Sequence, residues 1–130
     1  MKEHEAYKFS IALIYDFDGT LSAGNMQEYN FIPAVGKSNM EFWSEANRLA
    51  EEQDADQILT YMALMIRAAQ AKGVSLRREA FQESGRNIPF YDGVEEWFDR
   101  INRYGEERGI KILHYINSSG LKEIIEGTSI

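Results

Sequence analysis

The chain of 130 residues contains no cysteine, which excludes disulfide bonds and metal sites built on thiolates. No apolar run approaches the roughly 20 residues of a membrane-spanning helix, so we expect no membrane partner. Basic residues are few, with 14 Lys and Arg against 21 Asp and Glu. The net charge of −7 disfavours nucleic acid as a partner, because phosphate backbones attract basic surfaces.

The remaining composition is that of an ordinary globular protein, with 44% hydrophobic and 27% charged residues. This length suffices for one domain or part of one. The first eight residues are polar and mixed in charge, unlike a signal peptide. We therefore expect a cytoplasmic protein.

An apolar segment that ends in two carboxylates organises the chain. Residues 9–16 are predicted to form the first strand. Within it, Ile11–Tyr15 (IALIY) resembles a buried parallel strand, and residues 16–21 read DFDGTL. Carboxylates are costly to bury unpaired, and at the carboxyl end of a strand they lie where α/β sheets bind ligands. Asp16 is therefore a candidate nucleophile and Asp18 its acid–base partner, while Gly19 allows a sharp turn.

Two other interpretations of this segment are weaker. A calcium loop needs glycine at its sixth position, which is Leu21 here. An ordinary strand followed by an Asx turn would account for one aspartate and the glycine. It does not account for such an apolar strand followed by D-x-D-G-T-L.

The middle of the chain is predicted to be helical. Residues 17–32 mix Gly, Asn and Ser with aromatic residues, which indicates a loop with a short hairpin. Three helices are then expected to begin at capping residues or capping boxes, at Ser38, Asp54 and Ser75. The second should end at Gly73, with Tyr61 and Met65 on its apolar stripe. A further helix with a capping box at Asp92, a strand at Ile110–Ile116 and a short helix from Leu121 complete the prediction.

Two segments together resemble a known family. Tyr15 to Leu21 (YDFDGTL) resembles the first signature motif of the haloacid-dehalogenase-like (HAD) superfamily, whose usual form is D-x-D-G-T-L. Ile112 to Gly120 (ILHYINSSG) resembles the second motif, an apolar strand that ends in Ser or Thr. The motifs occur in the family order, each after a strand. The residues between the two motifs resemble the family only in general character and not in a specific motif.

The resemblance implies an α/β fold with a HAD-like, Rossmann-type core and an inserted α-helical cap. Residues 1–24 would hold the first strand and motif, residues 25–90 the cap, and residues 91–130 the return to the core. The two strands would be parallel, joined by a right-handed crossover. Caps of this kind close over the site, exclude water and select the substrate.

The resemblance also implies a phosphatase that acts through an aspartyl-phosphate. Asp16 would attack phosphorus, while Asp18 would protonate the leaving oxygen and later deprotonate the attacking water. Two carboxylates and a dianionic substrate repel one another, so Mg²⁺ would be needed, held by the Asp16 carboxylate and the Asp18 backbone carbonyl. Family members that cleave carbon–chlorine bonds lack the second aspartate, so Asp18 favours phosphoryl transfer.

Phosphate binding is expected in two loops. By the resemblance, Ser118 would donate its hydroxyl to a phosphoryl oxygen, and the amides near Ser119 and Gly120 would bind the anion at a helix N-terminus. The amides at Gly19 and Thr20 would contribute similarly. Without the two aspartates, a plain N-cap would be the simpler interpretation of residues 118–120.

Two further family motifs, a lysine and a later acidic pair, have no match here. Only ten residues follow Gly120. Lys122 lies too close to the second motif, and Glu123 and Glu126 lack the strand and glycine context. We therefore expect the N-terminal part of a larger HAD phosphatase, with its core truncated at the C-terminus, that is inactive or weakly active by itself.

Two alternative functions stay open. One is a non-catalytic fragment that binds phosphate or associates with itself through open sheet edges. The other is a HAD phosphotransferase or mutase, which would share the Asp16 nucleophile. In each enzymatic case the expected partner is a small phosphorylated substrate, whose identity the sequence does not indicate.

Overall fold

The structure is a computed structural model that describes residues 6–130. It is a mixed α/β protein, about half helical, with a two-stranded parallel sheet. The strands are β1 (Phe9–Tyr15) and β2 (Ile110–Ile116). The helices are α1 (Phe31–Ala34), α2 (Asn39–Glu52), α3 (Gln57–Lys72), α4 (Arg78–Gly85), α5 (Val94–Glu106) and α6 (Lys122–Glu126), together with a short 3-10 helix at Met26–Glu28. No helix within residues 6–130 has both the length and the apolarity to cross a membrane.

The chain divides into two units. The sheet unit comprises the described residues up to Ala23 together with Pro89–Ser118, and the helical unit comprises Gly24–Ile88 and Ser119–Ile130. These boundaries lie within two residues of the expected ends of the cap. The last segment differs from the expectation, because residues 119–130 cluster with the helices rather than with the sheet.

The two strands are parallel and in level register. Phe9 lies beside Ile110, and Tyr15 lies beside Ile116. The predicted bounds of β2 are confirmed, while β1 ends one residue before the predicted limit at Asp16. Because both strands end at the same level, the chain segments that follow them leave the sheet side by side.

Helix α5 covers one face of the sheet. The ring of Phe98 makes edge-on contacts with Tyr15 and His114, with ring centroids 5.6 and 5.2 Å apart. Gly105 permits the close approach, since a Cβ there would lie 2.8 Å from both the Ile110 carbonyl oxygen and the Ile112 side chain. The strand residues that alternate with these point to the opposite face.

A hydrogen-bonded chain crosses this interface. The Trp97 Nε1 donates to the Tyr15 hydroxyl at 3.0 Å, and that hydroxyl lies 2.9 Å from His114 Nδ1. His114 Nε2 lies 2.7 Å from Asn102 Oδ1. Because an amide oxygen only accepts, Nε2 donates to it, and the Tyr15 hydroxyl can donate to Nδ1. The hydroxyl of Tyr15, the residue directly before Asp16, is therefore fixed by hydrogen bonds.

Helices α2 and α3 form the main apolar core. The capping box predicted for α2 is confirmed, with Ser38 Oγ accepting from the Glu41 amide at 3.1 Å. The start of α3 is two residues later than predicted, because the Asp56 carboxylate caps it and Asp54 has a positive φ of 47°. The predicted end at Gly73 is confirmed by a left-handed φ of 68°. The core contains Phe31, Ile32, Val35, Phe42, Ala46, Leu49, Tyr61, Leu64, Met65, Ala68 and Ala69.

The expected hairpin within residues 17–32 is wrong. Asn25 instead opens the 3-10 helix, because its amide donates to the Glu28 carboxylate at 3.1 Å. A local hydrogen bond of this kind starts a helical turn. The segment therefore enters the helical unit as short helices.

Two other predicted caps are also wrong. Ser75 does not cap α4, which begins three residues later, and its hydroxyl accepts from the Arg77 amide at 3.3 Å. The capping box at Asp92 does not form, because Gly93 occupies the N-cap of α5 with a left-handed φ of 87°. Both patterns place a capping side chain close to a helix start but not at the cap position.

Helices α4 and α6 approach each other through glycine. A Cβ on Gly85 would collide with the Ile124 carbonyl oxygen, and one on Gly127 would collide with the Gln82 carbonyl oxygen. On the α6 side, a hydrogen bond from Lys122, followed by one from Gln82, holds the pKa of the Glu126 carboxyl below its usual value. The close backbone approach of α4 and α6 at Gly85 and Gly127 explains why residues 119–130 belong to the helical unit.

Candidate functional site

The ends of both strands bring two of the predicted site residues to one edge of the sheet. Asp16 directly follows β1 and is exposed, and one of its carboxylate oxygens accepts from the Phe17 amide at 2.8 Å. The Asn117 amide donates to the Tyr15 carbonyl at 2.8 Å, so pairing extends one residue past β2. Neighbouring strands lie about 4.8 Å apart. Asp16 and the half-buried Ser118 therefore share the carboxyl edge.

A tight turn follows Asp16. The Phe17 carbonyl accepts from the amides of Thr20, Leu21 and Ser22 at 3.2, 2.9 and 3.2 Å. Gly19 has φ +76°, which side chains rarely allow. The Thr20 amide is thus used inside the turn.

Buried side chains anchor this turn in the sheet unit. Phe17 is fully buried and packs edge-on against Phe90, with ring centroids 5.9 Å apart. Leu21 is also buried, and its carbonyl accepts from the Tyr91 amide at 3.0 Å. Asp18, between these anchors, is half-buried and pairs with Ser22 in a β-bridge. Asp18 is therefore held in place while Asp16 faces solvent.

The boundary between the two units falls within the second predicted loop, residues 118–120. Ser118 belongs to the sheet unit, whereas Ser119 and Gly120 belong to the helical unit. The Tyr61 hydroxyl donates to the Ser119 carbonyl at 2.6 Å. Leu121 is the N-cap of the five-residue α6, so Ser119 and Gly120 precede the cap rather than opening the helix.

The oxygen atoms at this edge of the sheet are of the chemical type that binds hard cations. Within residues 6–130, no three His, Cys, Asp or Glu side chains cluster as a metal site. The Asp16 carboxylate and the Asp18 carbonyl are nevertheless the donors that Mg²⁺ prefers, and Mg²⁺ commonly takes one or two carboxylates with waters and substrate phosphates. The described residues therefore form no closed protein cage for a metal, and these two oxygens are the candidate ligands.

The charged groups of α6 are occupied by one another and by α4. Lys122 Nζ lies 3.3 Å from Glu126 Oε1 on the same helix. Glu123 lies 3.9 Å from the Arg78 guanidinium. These side chains are therefore engaged in ion pairs within and between α4 and α6.

Sequence reasoning missed two residues that support these loops. The sequence patterns place Tyr15 in the strand and at the start of the first motif, and Tyr61 on an apolar stripe, and give neither hydroxyl a role. A tyrosine within an otherwise apolar pattern is a sign that could have identified them. A buried hydroxyl usually has a hydrogen-bond partner, so each tyrosine predicts a polar contact.

The fold and site define a mixed α/β protein with a carboxylate-bearing sheet edge. No family model and no solved structure matches the chain. An uncharacterized protein of Borreliella burgdorferi is similar, with 33% identity over 134 aligned positions that cover 92% of this chain and 45% of the relative. The chain thus spans less than half the length of this curated relative.

Proposed function

We propose that this chain carries the nucleophile end of a Mg²⁺-dependent HAD-type phosphomonoester hydrolase, acting on a small phosphorylated substrate. The observation that supports this most is the level parallel register of Tyr15 and Ile116. It brings Asp16 and Ser118, which are far apart in sequence, to one polar edge. Edges of this kind are where α/β sheets bind ligands.

Asp16 acts as the phosphoryl acceptor in this proposal. Because its Oδ1 accepts from the Phe17 amide, Oδ2 is the attacking atom. A bond forms between Oδ2 and phosphorus, and the bond from phosphorus to the leaving oxygen breaks with its electron pair. Asp18 donates a proton to that oxygen, then accepts one from the water that releases phosphate from Asp16.

Two groups would bind the phosphoryl oxygens. The Ser118 hydroxyl would donate from the strand end, and an amide of the turn around Gly19 would donate beside it. A bound Mg²⁺, held by the Asp16 carboxylate and the Asp18 carbonyl, would offset the repulsion between carboxylates and phosphate. We expect slow turnover, because no lysine or acidic pair completes the site within residues 6–130.

The proposal is tested by Mg²⁺-dependent hydrolysis of p-nitrophenyl phosphate. Asp16→Asn should reduce the rate to the uncatalysed background, because an amide cannot form the covalent intermediate. The matched control is Asp99→Asn, which changes an exposed aspartate on α5 and should leave the rate unchanged. Hydrolysis that survives Asp16→Asn would contradict the assignment.

A second candidate function is self-association through the sheet. Ile14 and Tyr115 are register partners on the face opposite α5, and they are 67% and 54% exposed. A two-stranded sheet also has two open edges, which are prone to pairing with another chain. In sedimentation velocity, the wild type should show concentration-dependent association that Ile14→Lys weakens. A wild-type monomer at all concentrations would exclude this candidate.

A further inference from the structure

We infer that the helical unit binds a small uncharged hydrocarbon ligand in a cavity of about 320 Å³. The cavity lies within that unit alone, since every residue that lines it belongs there. The side chains that line it are all apolar: Met62, Met65, Ile66, Leu76, Phe81 and Leu121. The inference goes beyond the proposed function and does not depend on it.

Four segments of the helical unit form the walls of the cavity. Helix α3 supplies three side chains, the loop between α3 and α4 supplies Leu76, α4 supplies Phe81, and Leu121 lies directly before α6. Because the walls come from four segments, the surface is concave and not the open face of one helix. A concave site encloses a small molecule, whereas a partner helix needs a long groove.

Contacts outside the cavity hold these walls in place. The ring of Phe81 stacks against the buried ring of Phe31, with centroids 6.0 Å apart. The Leu121 amide donates to Met26 Sδ at 3.2 Å. The close backbone approach at Gly85 joins α4 to α6. The cavity is therefore formed by the fold itself, as ligand sites in proteins usually are.

The lining determines the chemical class of the ligand. A charged or hydrogen-bonding group would lose its water on entering an apolar lining, and this loss costs free energy. An uncharged hydrocarbon gains free energy from the same transfer. Met65 is 2% exposed and Ile66 is 48% exposed, so the cavity runs from the core to the surface of the unit. A ligand that enters it would also cover the exposed part of Ile66.

The volume of the cavity sets the size of the ligand. Protein interiors contain few voids larger than a water molecule, so a cavity of this volume is not an ordinary packing defect. An apolar cavity of about 150 Å³ lined by leucine, isoleucine and phenylalanine binds benzene. The present cavity is about twice as large, so a ligand of two fused rings fits it. Met62 and Met65 have flexible side chains that adapt to the shape of such a ligand.

The test is a titration with naphthalene, followed by NMR of protein whose methionine methyl groups carry ¹³C. The methyl signals of Met62 and Met65 should shift and reach saturation, while that of Met40, which is 79% exposed on α2, should not shift. Met62→Gln should raise the apparent Kd, read from the Met65 signal, by about tenfold or more, because the ligand would displace water from the new amide. The matched control is Met40→Gln, which makes the same change at an exposed position and should bind naphthalene as the wild type does.

A wild type whose Met62 and Met65 signals do not shift to saturation would overturn the inference. Equal affinities of the wild type and Met62→Gln would also overturn it, because naphthalene would then bind elsewhere. So would a Met40 signal that shifts together with the other two, since it would show unspecific adsorption. Leu76→Trp is a second test that buries no amide. Its indole ring should fill the cavity and abolish binding, and wild-type affinity in this variant would contradict the inference.

Discussion

Replacing Asp18 with asparagine should slow the hydrolysis of alkyl phosphates by about 10²–10⁴-fold, the usual contribution of a positioned general acid–base. The effect on p-nitrophenyl phosphate should be much smaller in the step that forms the aspartyl-phosphate. An alkoxide is a poor leaving group that needs a proton as the bond to phosphorus breaks. A nitrophenolate carries its negative charge without one.

The difference between substrates separates the role of Asp18 from that of Asp16. Asp16→Asn should abolish the hydrolysis of both substrates, because both require the same nucleophile. The measurement is the initial burst of leaving group, which reports the first chemical step before water attack. If Asp18→Asn slows that burst equally for both substrates, Asp18 is not the proton donor.

Replacing Gly85 with alanine should destabilise the protein by about 3 kcal/mol, at or above the upper end of the usual cost of overpacking. The added Cβ would fall on the Ile124 carbonyl oxygen, which is backbone. Backbone cannot rotate away as a flexible side chain can, so α4 and α6 must separate. Ile124 is fully buried beneath this contact, and the separation would expose it.

Urea unfolding at equilibrium measures this loss as a lower midpoint. Gly127→Ala should act in the same direction, since its Cβ would collide with the Gln82 carbonyl. The two changes should be less than additive, because either one separates the same pair of helices. Glu83→Ala on the exposed side of α4 is the control and should change stability by less than about 0.5 kcal/mol. A normal midpoint for Gly85→Ala would show that the contact is not close.

Much of the local structure follows from sequence because its causes lie within a few residues. Strand β2 matches its prediction at both ends, since an apolar run lies between Gly109 and the polar residues after Ile116. The capping box at Ser38 and the glycine at position 73 are likewise local hydrogen-bonding and backbone effects. The missed caps at Ser75 and Asp92 arise because several nearby residues compete for one position.

The packing of residues 119–130 with the helical unit could not be predicted in the same way. It depends on Gly85 and Gly127 meeting across α4 and α6, a contact between segments far apart in sequence. Glycine inside or beside a short helix normally indicates a helix end. The sequence carries no local sign that these two glycines permit a close backbone approach.

In the candidate site, too, the local features could be predicted from the sequence and the contacts between distant segments could not. Asp16, Asp18 and Gly19 form one local motif, so their strand-end position could be predicted before the structure was known. The placement of Ser118 beside that motif needed the parallel register of β1 and β2. The hydrogen bond from Tyr61 to Ser119 could not be predicted, because a tyrosine on an apolar stripe is first interpreted as core.

The central claim is that Asp16 accepts a phosphoryl group, and acid quenching of the Mg²⁺ reaction with p-nitrophenyl phosphate tests it directly. Peptide mass spectrometry of the quenched wild type should find one added phosphoryl group on the peptide that contains Asp16. Asp16→Asn should carry none, and Asp99→Asn should match the wild type. An unmodified Asp16, or a phosphoryl group that persists in Asp16→Asn, would contradict the account.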